Sequence, residues 1–125
     1  MILTSAEIDK RSGVWIALSE LFIDNQLTSS DKKRLAEKLR KSGYLLTEIE
    51  KILEEEVLPT FSSNLVATTG NWNGWSDEEV QRKVIERLAV GVNSSMNWWR
   101  KLYVKFMISQ SWKEIKHHFQ NIRAN

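Results

Sequence analysis

Thr47-Glu48-Ile49-Glu50-Lys51-Ile52-Leu53-Glu54-Glu55-Glu56-Val57-Leu58-Pro59 is the stretch that decides the fold class. Thr47 and Glu50 have the spacing of a capping box, in which a hydroxyl and a carboxylate each satisfy the other's free backbone N–H at a helix start. Ile49, Ile52, Leu53 and Val57 then recur at the spacing of one buried helix face. Pro59, the only proline, closes the helix in this reading, because its ring crowds the preceding turn and it has no N–H to donate.

The same pattern repeats outward from this stretch. Thr4-Ser5-Ala6-Glu7 is another capping box, starting a short helix near Ser5 whose continuation Gly13 weakens. From Val14, the residues Trp15, Leu18, Leu21 and Phe22 follow helical spacing up to Asp24-Asn25-Gln26. Ser29-Ser30-Asp31 offers an N-cap for a helix with Leu35, Ala36 and Leu39 on one face, and Gly43 sits where a left-handed C-cap is expected. Ser62 to Trp75 breaks the pattern and reads as a long loop. Ser76-Asp77-Glu78-Glu79 caps a helix carrying Val80, Val84, Leu88 and Val92. Asn93-Ser94-Ser95 punctuates before a helix with Met96, Trp99, Leu102, Tyr103 and Phe106. Ser111-Trp112-Lys113-Glu114 caps a last one with Ile115, Phe119 and Ile122 inward. No stretch alternates with period two between hairpin turns. The expectation is an all-α single domain over residues 1–125, a bundle of five to seven helices.

Composition narrows the function. The chain has 125 residues, 42% of them hydrophobic and 27% charged, which is globular rather than disordered. There is no cysteine, hence no disulfide, thiol nucleophile or thiolate metal site. No apolar run approaches the roughly 18 residues of a membrane span, and Met1 to Arg11 lacks the pattern of a secretory signal, so the expected setting is the cytoplasm, with no membrane partner. Eighteen basic and sixteen acidic residues leave a net charge of +2. Residues 1–92 hold 12 basic and 15 acidic side chains, whereas residues 93–125 hold 6 basic and 1 acidic.

Reactive groups are sparse. His117 and His118 are the only histidines, and adjacent positions on a helix point about 100° apart, so they do not chelate one metal together. Glu114 and His117 form a single Glu-x-x-His element where a di-iron bundle needs two. The glycine-rich phosphate loops and the Gly-x-Ser-x-Gly elbow are absent. No pair among sixteen acids is singled out by sequence for acid–base work. No catalytic residue, metal ligand or cofactor is assigned. Asp31–Lys41 followed by Thr47–Val57 has the outline of a helix-turn-helix, but five carboxylates on the second helix would be repelled by phosphates, so it reads as an antiparallel helix pair.

Surface features remain. Glu54-Glu55-Glu56 is a solvated face or a surface for a basic partner, which Glu20, Asp24, Asp77 and Glu78 extend if the fold brings them together. In Gly70-Asn71-Trp72-Asn73-Gly74-Trp75, Trp75 suits packing beside the helix cap, and Trp72 is free to anchor a partner. Between Trp98 and Arg123, rings alternate with cations, and Trp98, Lys101 and Lys105 share a helical face. That region either stacks bases and holds phosphates, or buries Trp99, Tyr103 and Phe106 in the core beneath solvating lysines.

Val14-Trp15-Ile16-Ala17-Leu18-Ser19-Glu20-Leu21-Phe22-Ile23-Asp24 with Leu27, then Glu56-Val57-Leu58-Pro59, Asn64-Leu65 and Gly70-Asn71-Trp72-Asn73-Gly74-Trp75, resembles a family of small uncharacterised bacterial proteins over residues 13–88. Asn25 and Trp75 stand where that family more often has Thr and Phe. By analogy, single-domain proteins of this kind are similar to immunity proteins encoded beside polymorphic or contact-dependent toxins. The resemblance implies a non-enzymatic binder that occludes the active site of a cognate toxin, a nuclease being the first class considered. Candidate contacts are Glu54, Glu55, Trp72, Asp77, Glu78, Trp98, Lys101 and Lys105. The alternative is a small nucleic-acid-binding protein that uses the basic, aromatic C-terminal region.

Overall fold

Helix α1 (Ser5–Ser19) starts at the expected box: the Thr4 hydroxyl accepts the Glu7 N–H (3.2 Å) and the Glu7 carboxylate accepts the Thr4 N–H (3.3 Å). The computed structural model describes residues 3–23, 27–66, 74–90 and 98–121, with the backbone alone for residues 63, 65, 66 and 98–100. Gly13 does not divide α1, contrary to the expected weakening. It lies on the exposed side, with nothing within 4 Å of the place a Cβ would take. Val14, Trp15, Ala17 and Leu18 are buried just beyond it, and that packing outweighs the roughly 1 kcal/mol helix penalty of one glycine. A 3₁₀ turn (Glu20–Phe22) ends the segment.

Helix α2 (Ser29–Lys41) is capped by Thr28 rather than by Ser29-Ser30-Asp31; Asp31 is the reciprocal partner, its carboxylate accepting the Thr28 N–H at 3.0 Å. Leu35, Ala36 and Leu39 are buried as expected, and Gly43 follows with φ +80°. Helix α3 (Leu46–Ile52) begins two residues before the predicted box. Glu48 accepts the Leu45 N–H at 2.9 Å, and Leu45 has no side-chain acceptor to reciprocate.

Pro59 does not close the helix. A π-helical segment (Leu53–Val57) leads directly into α4 (Leu58–Val66). The Leu58 N–H reaches back five residues to the Leu53 carbonyl, which widens the turn ahead of the proline ring. The Thr60 hydroxyl donates to the Glu56 carbonyl at 2.6 Å, one residue past the carbonyl that the proline leaves without its N–H in an α-turn. Helix therefore extends into the predicted Ser62–Trp75 loop as far as Val66. Helix α5 (Asp77–Val90) has the predicted Ser76/Glu79 box, with both bonds formed (3.2 and 3.3 Å).

Helix α6 (Trp98–Asn121) is a single helix where two were predicted, and Ser111 lies inside it. Val104, Ile108, Trp112, Ile115 and Phe119 form one buried stripe that runs past Ser111, so a cap there would interrupt a continuous contact with α2. With α3, the π segment and α4 counted as one rod, five helices and no strand occur among the described residues. No described helix is long and apolar enough to cross a membrane.

α1 packs against α2, α5 and the π segment, and α2 lies along α6. α2 does not pair with α3, so the antiparallel pair read from residues 31–57 is replaced by separate packing of each on α1. Trp15, Phe22 and Phe61 are the largest fully buried side chains among the described residues.

Gly13→Ala removes only backbone freedom in an exposed helix interior. It is expected to stabilise the protein by about 0.5–1 kcal/mol, seen as a rise of a few degrees in melting temperature.

Candidate protein-interaction surface

The acidic run divides into three different environments. Glu56 is only 2% exposed; it accepts the Trp15 indole N–H at 2.7 Å and pairs with the Arg11 guanidinium. Burial pushes its carboxyl above the usual range, against the opposing effects of the Trp15 hydrogen bond and Arg11. Glu54 is exposed and pairs with Lys105 at 2.7 Å. Glu55 is exposed. The expected solvated acidic face is therefore corrected: one carboxylate is internal and another is matched by a lysine that was itself a candidate contact. Glu56 was missed although its signal was present, because it follows Ile52 by four residues and Leu53 by three, the spacing of the buried face. Beside this pair, burial also raises the Tyr44 phenol's pKa, and the Lys10 ammonium lies 4.4 Å from the Tyr44 ring centre.

Asp77 and Glu78 are exposed in the first turn of α5, where carboxylates favourably oppose the helix dipole. Trp72 lies outside the described residues, and Trp98 is described only as backbone at the start of α6. Lys101 and Lys105 are exposed one turn apart.

The outward side of α6 is apolar over two turns. Leu102 is 45% exposed, Tyr103 54%, Phe106 78% and Met107 42%. The core reading of Tyr103 and Phe106 is overturned. The inward stripe of α6 begins with Val104 and Ile108, which places Phe106 on the opposite side of the helix, because a 100° step per residue separates it from both by about 160°. A 20-residue stretch with aromatic and aliphatic groups on every side gives an ambiguous periodicity, and only the position of α2 selects the buried stripe.

Toward its C-terminal end α6 borders an open groove with the start of α2, lined by Ser29, Gln110, Lys113, Glu114, His117 and His118. Lys32 pairs with Glu114 and, with a smaller contribution from Gln110, holds that carboxyl below its usual range. The Asn121 amide nitrogen lies 3.0 Å from His117 Nε2. Among the described residues, no group of three His, Asp or Glu side chains is placed to hold a metal ion.

Comparison with known families bears on this arrangement. A family model for DUF7079, a domain of unknown function, matches residues 9–124. The chain belongs to the DUF7079 family. The match extends past the 13–88 stretch of the sequence resemblance and takes in α6. No curated protein and no solved structure matches significantly. Several residues that carried the resemblance have internal roles. Trp15 and Glu56 are hydrogen-bonded, and the Asn64 amide donates to the Phe22 carbonyl at 2.6 Å. Gly74 has φ +83°, with Ile23 Cδ1 2.9 Å from where a Cβ would sit. The Trp75 ring lies 4.6 Å from that of Phe61, the packing role expected of it.

Glu56→Ala leaves the Trp15 N–H and the Arg11 charge without their partner and is expected to cost about 3–5 kcal/mol in denaturant unfolding. Glu56→Gln keeps an acceptor for Trp15 and costs less. The folded protein holds the Glu56 proton more tightly than the unfolded chain does. The stability of the wild type minus that of Glu56→Gln is therefore largest at low pH. It falls as pH rises from about 4.3 through the higher folded value, and it is flat above that. A difference that rises over this window would mean that Arg11 outweighs burial.

Proposed function

We propose that this chain is a non-enzymatic protein-binding module, an immunity protein that neutralises a cognate bacterial toxin in the cytoplasm by covering its active site, with nucleases as the first toxin class to test. The observation that carries the reading is the apolar face of α6, where Phe106 is 78% exposed. A contiguous exposed apolar cluster on a rigid helix is a common mark of a binding surface. Covering a phenyl ring of that exposure contributes roughly 1.5–3 kcal/mol, and a helix already formed loses little entropy on docking. Trp15, Glu56, Asn64 and Trp75 have internal roles, so none of them is needed for the exposed face of α6 to serve as the contact.

The nucleic-acid reading has its own support in Tyr103 and Phe106, exposed rings near Lys101. It is weakened by the pairing of Lys105 with Glu54 and by the exposed Glu55 nearby, which dilute the positive potential that phosphates require.

Co-expression with the toxin domain encoded beside this gene is expected to restore growth and yield a one-to-one complex on size exclusion. Absence of a complex, or equal rescue by a non-cognate relative, counts against immunity. Salt-dependent affinity for single-stranded RNA at low ionic strength would favour the second reading.

A further inference from the structure

We infer that the open groove between the start of α2 and the second half of α6 takes a carboxylate side chain from an acidic segment of the partner protein. This deepens the protein-binding reading and rests on it. The groove has a volume of about 400 Å³ and is lined by Ser29, Gln110, Lys113, Glu114, His117 and His118. The 100° step places Gln110, Glu114 and His117 within about 60° of one another around α6, turned away from the buried stripe. Lys113 stands about 40° beyond His117, and His118 about 40° beyond Glu114.

The lining is rich in donors. Glu114 is its only carboxylate, and both of its oxygens are engaged: Lys32 holds one and the Gln110 amide donates to the other at 3.3 Å. Asp31, two residues on from Ser29, accepts the Thr28 N–H and lies 3.7 Å from the Arg34 guanidinium. The Asn121 amide nitrogen only donates, so His117 Nε2 accepts from it and the neutral ring carries its proton on Nδ1. Lys113 is exposed and makes no ion pair among the described residues. The groove therefore offers a ligand the Lys113 ammonium, the His117 Nδ1–H, an N–H of His118 and the Ser29 hydroxyl. An ionised carboxylate accepts hydrogen bonds and donates none, which complements that set. One uncompensated ammonium also balances one carboxylate. A phosphodiester chain carries a charge on every nucleotide and needs cations at successive positions, whereas Lys32 is already taken up by Glu114. The charge count thus selects an acidic protein segment over a nucleic acid.

The probe is a capped Gly-Glu-Gly-Glu-Gly peptide titrated into the ¹⁵N-labelled full chain. Saturable amide shifts are expected at Ser29 and from Gln110 to His118, with none from the glutamine counterpart of the peptide. Lys113→Glu should weaken the peptide by at least about fivefold and His117→Ala by about twofold or more, while Lys38→Glu leaves affinity within about twofold. Lys38 is exposed and, nine residues from Ser29, lies on the opposite side of α2, so it makes the same charge change away from the groove. Shifts confined elsewhere, equal binding of the glutamine peptide, or equal losses for Lys113→Glu and Lys38→Glu overturn the inference. So does tighter binding of inorganic phosphate or polyuridine than of the acidic peptide. If Lys113→Glu lowers the melting temperature by more than a few degrees, Lys113→Gln removes the charge without adding one, and unchanged binding there overturns the inference as well. Failure here is separable from failure of the immunity reading. A toxin complex that tolerates Lys113→Glu and His117→Ala removes the groove and keeps immunity, whereas acidic-peptide binding mapped to the groove without any toxin complex does the reverse.

Discussion

The hydrogen bond from the Trp15 indole to Glu56, with Arg11 on the second carboxylate oxygen, is the constraint around which the rest of the bundle is arranged. A carboxylate 2% exposed is tolerated only where donors replace the water it has lost. Both donors come from α1, and Arg11 and Trp15 are four residues apart, so they present themselves on one side of that helix. The carboxylate comes from the π segment. α1 and the π segment are thereby fixed in rotation as well as in distance, since an indole N–H has a direction that a purely apolar contact lacks.

The π segment is itself the consequence of a proline inside a helix. Pro59 has no N–H and its ring would strike the carbonyl four residues back in a regular α-turn. The five-residue reach from Leu58 to Leu53 relieves that collision without ending the rod. Helix α4 then continues far enough for Asn64 to reach the Phe22 carbonyl and for Phe61 to meet Trp75. These contacts join the 3₁₀ turn and the approach to α5 to the same node. Gly74 is needed there because its backbone is left-handed and Ile23 occupies the space a side chain would take. Trp15, Glu56, Asn64, Gly74 and Trp75, which carried the sequence resemblance, all take part in holding this node together.

Two sides of α6 divide the work differently. Its inner stripe closes the core against α2, with the Arg40 guanidinium lying 5.1 Å from the Phe119 ring centre and capping the stripe. On its outer side Leu102, Tyr103, Phe106 and Met107 are exposed. That contrast, between a motif engaged in packing and an apolar surface left exposed, is what directs attention to binding rather than to the short acidic run, where one carboxylate is buried and the next but one is neutralised.

Helix starts at Thr4 and Ser76 were legible because capping is local chemistry between residues three apart, and Leu35, Leu39, Ile49, Val57, Val80, Val84 and Ile115 were legible as core because each belongs to a clear helical stripe. The all-α class followed from these features alone. Gly13, Pro59 and Ser111 were misread for a common reason: each is a local signal to stop, worth about a few kcal/mol at most, and each lies beside buried packing that outweighs it, on both sides of Pro59 and Ser111 and on the C-terminal side of Gly13. Which side of α6 faces inward was decided only by the tertiary position of α2, and the meeting of Glu54 with Lys105 brings together residues 51 apart in sequence; no periodicity within one segment encodes either contact.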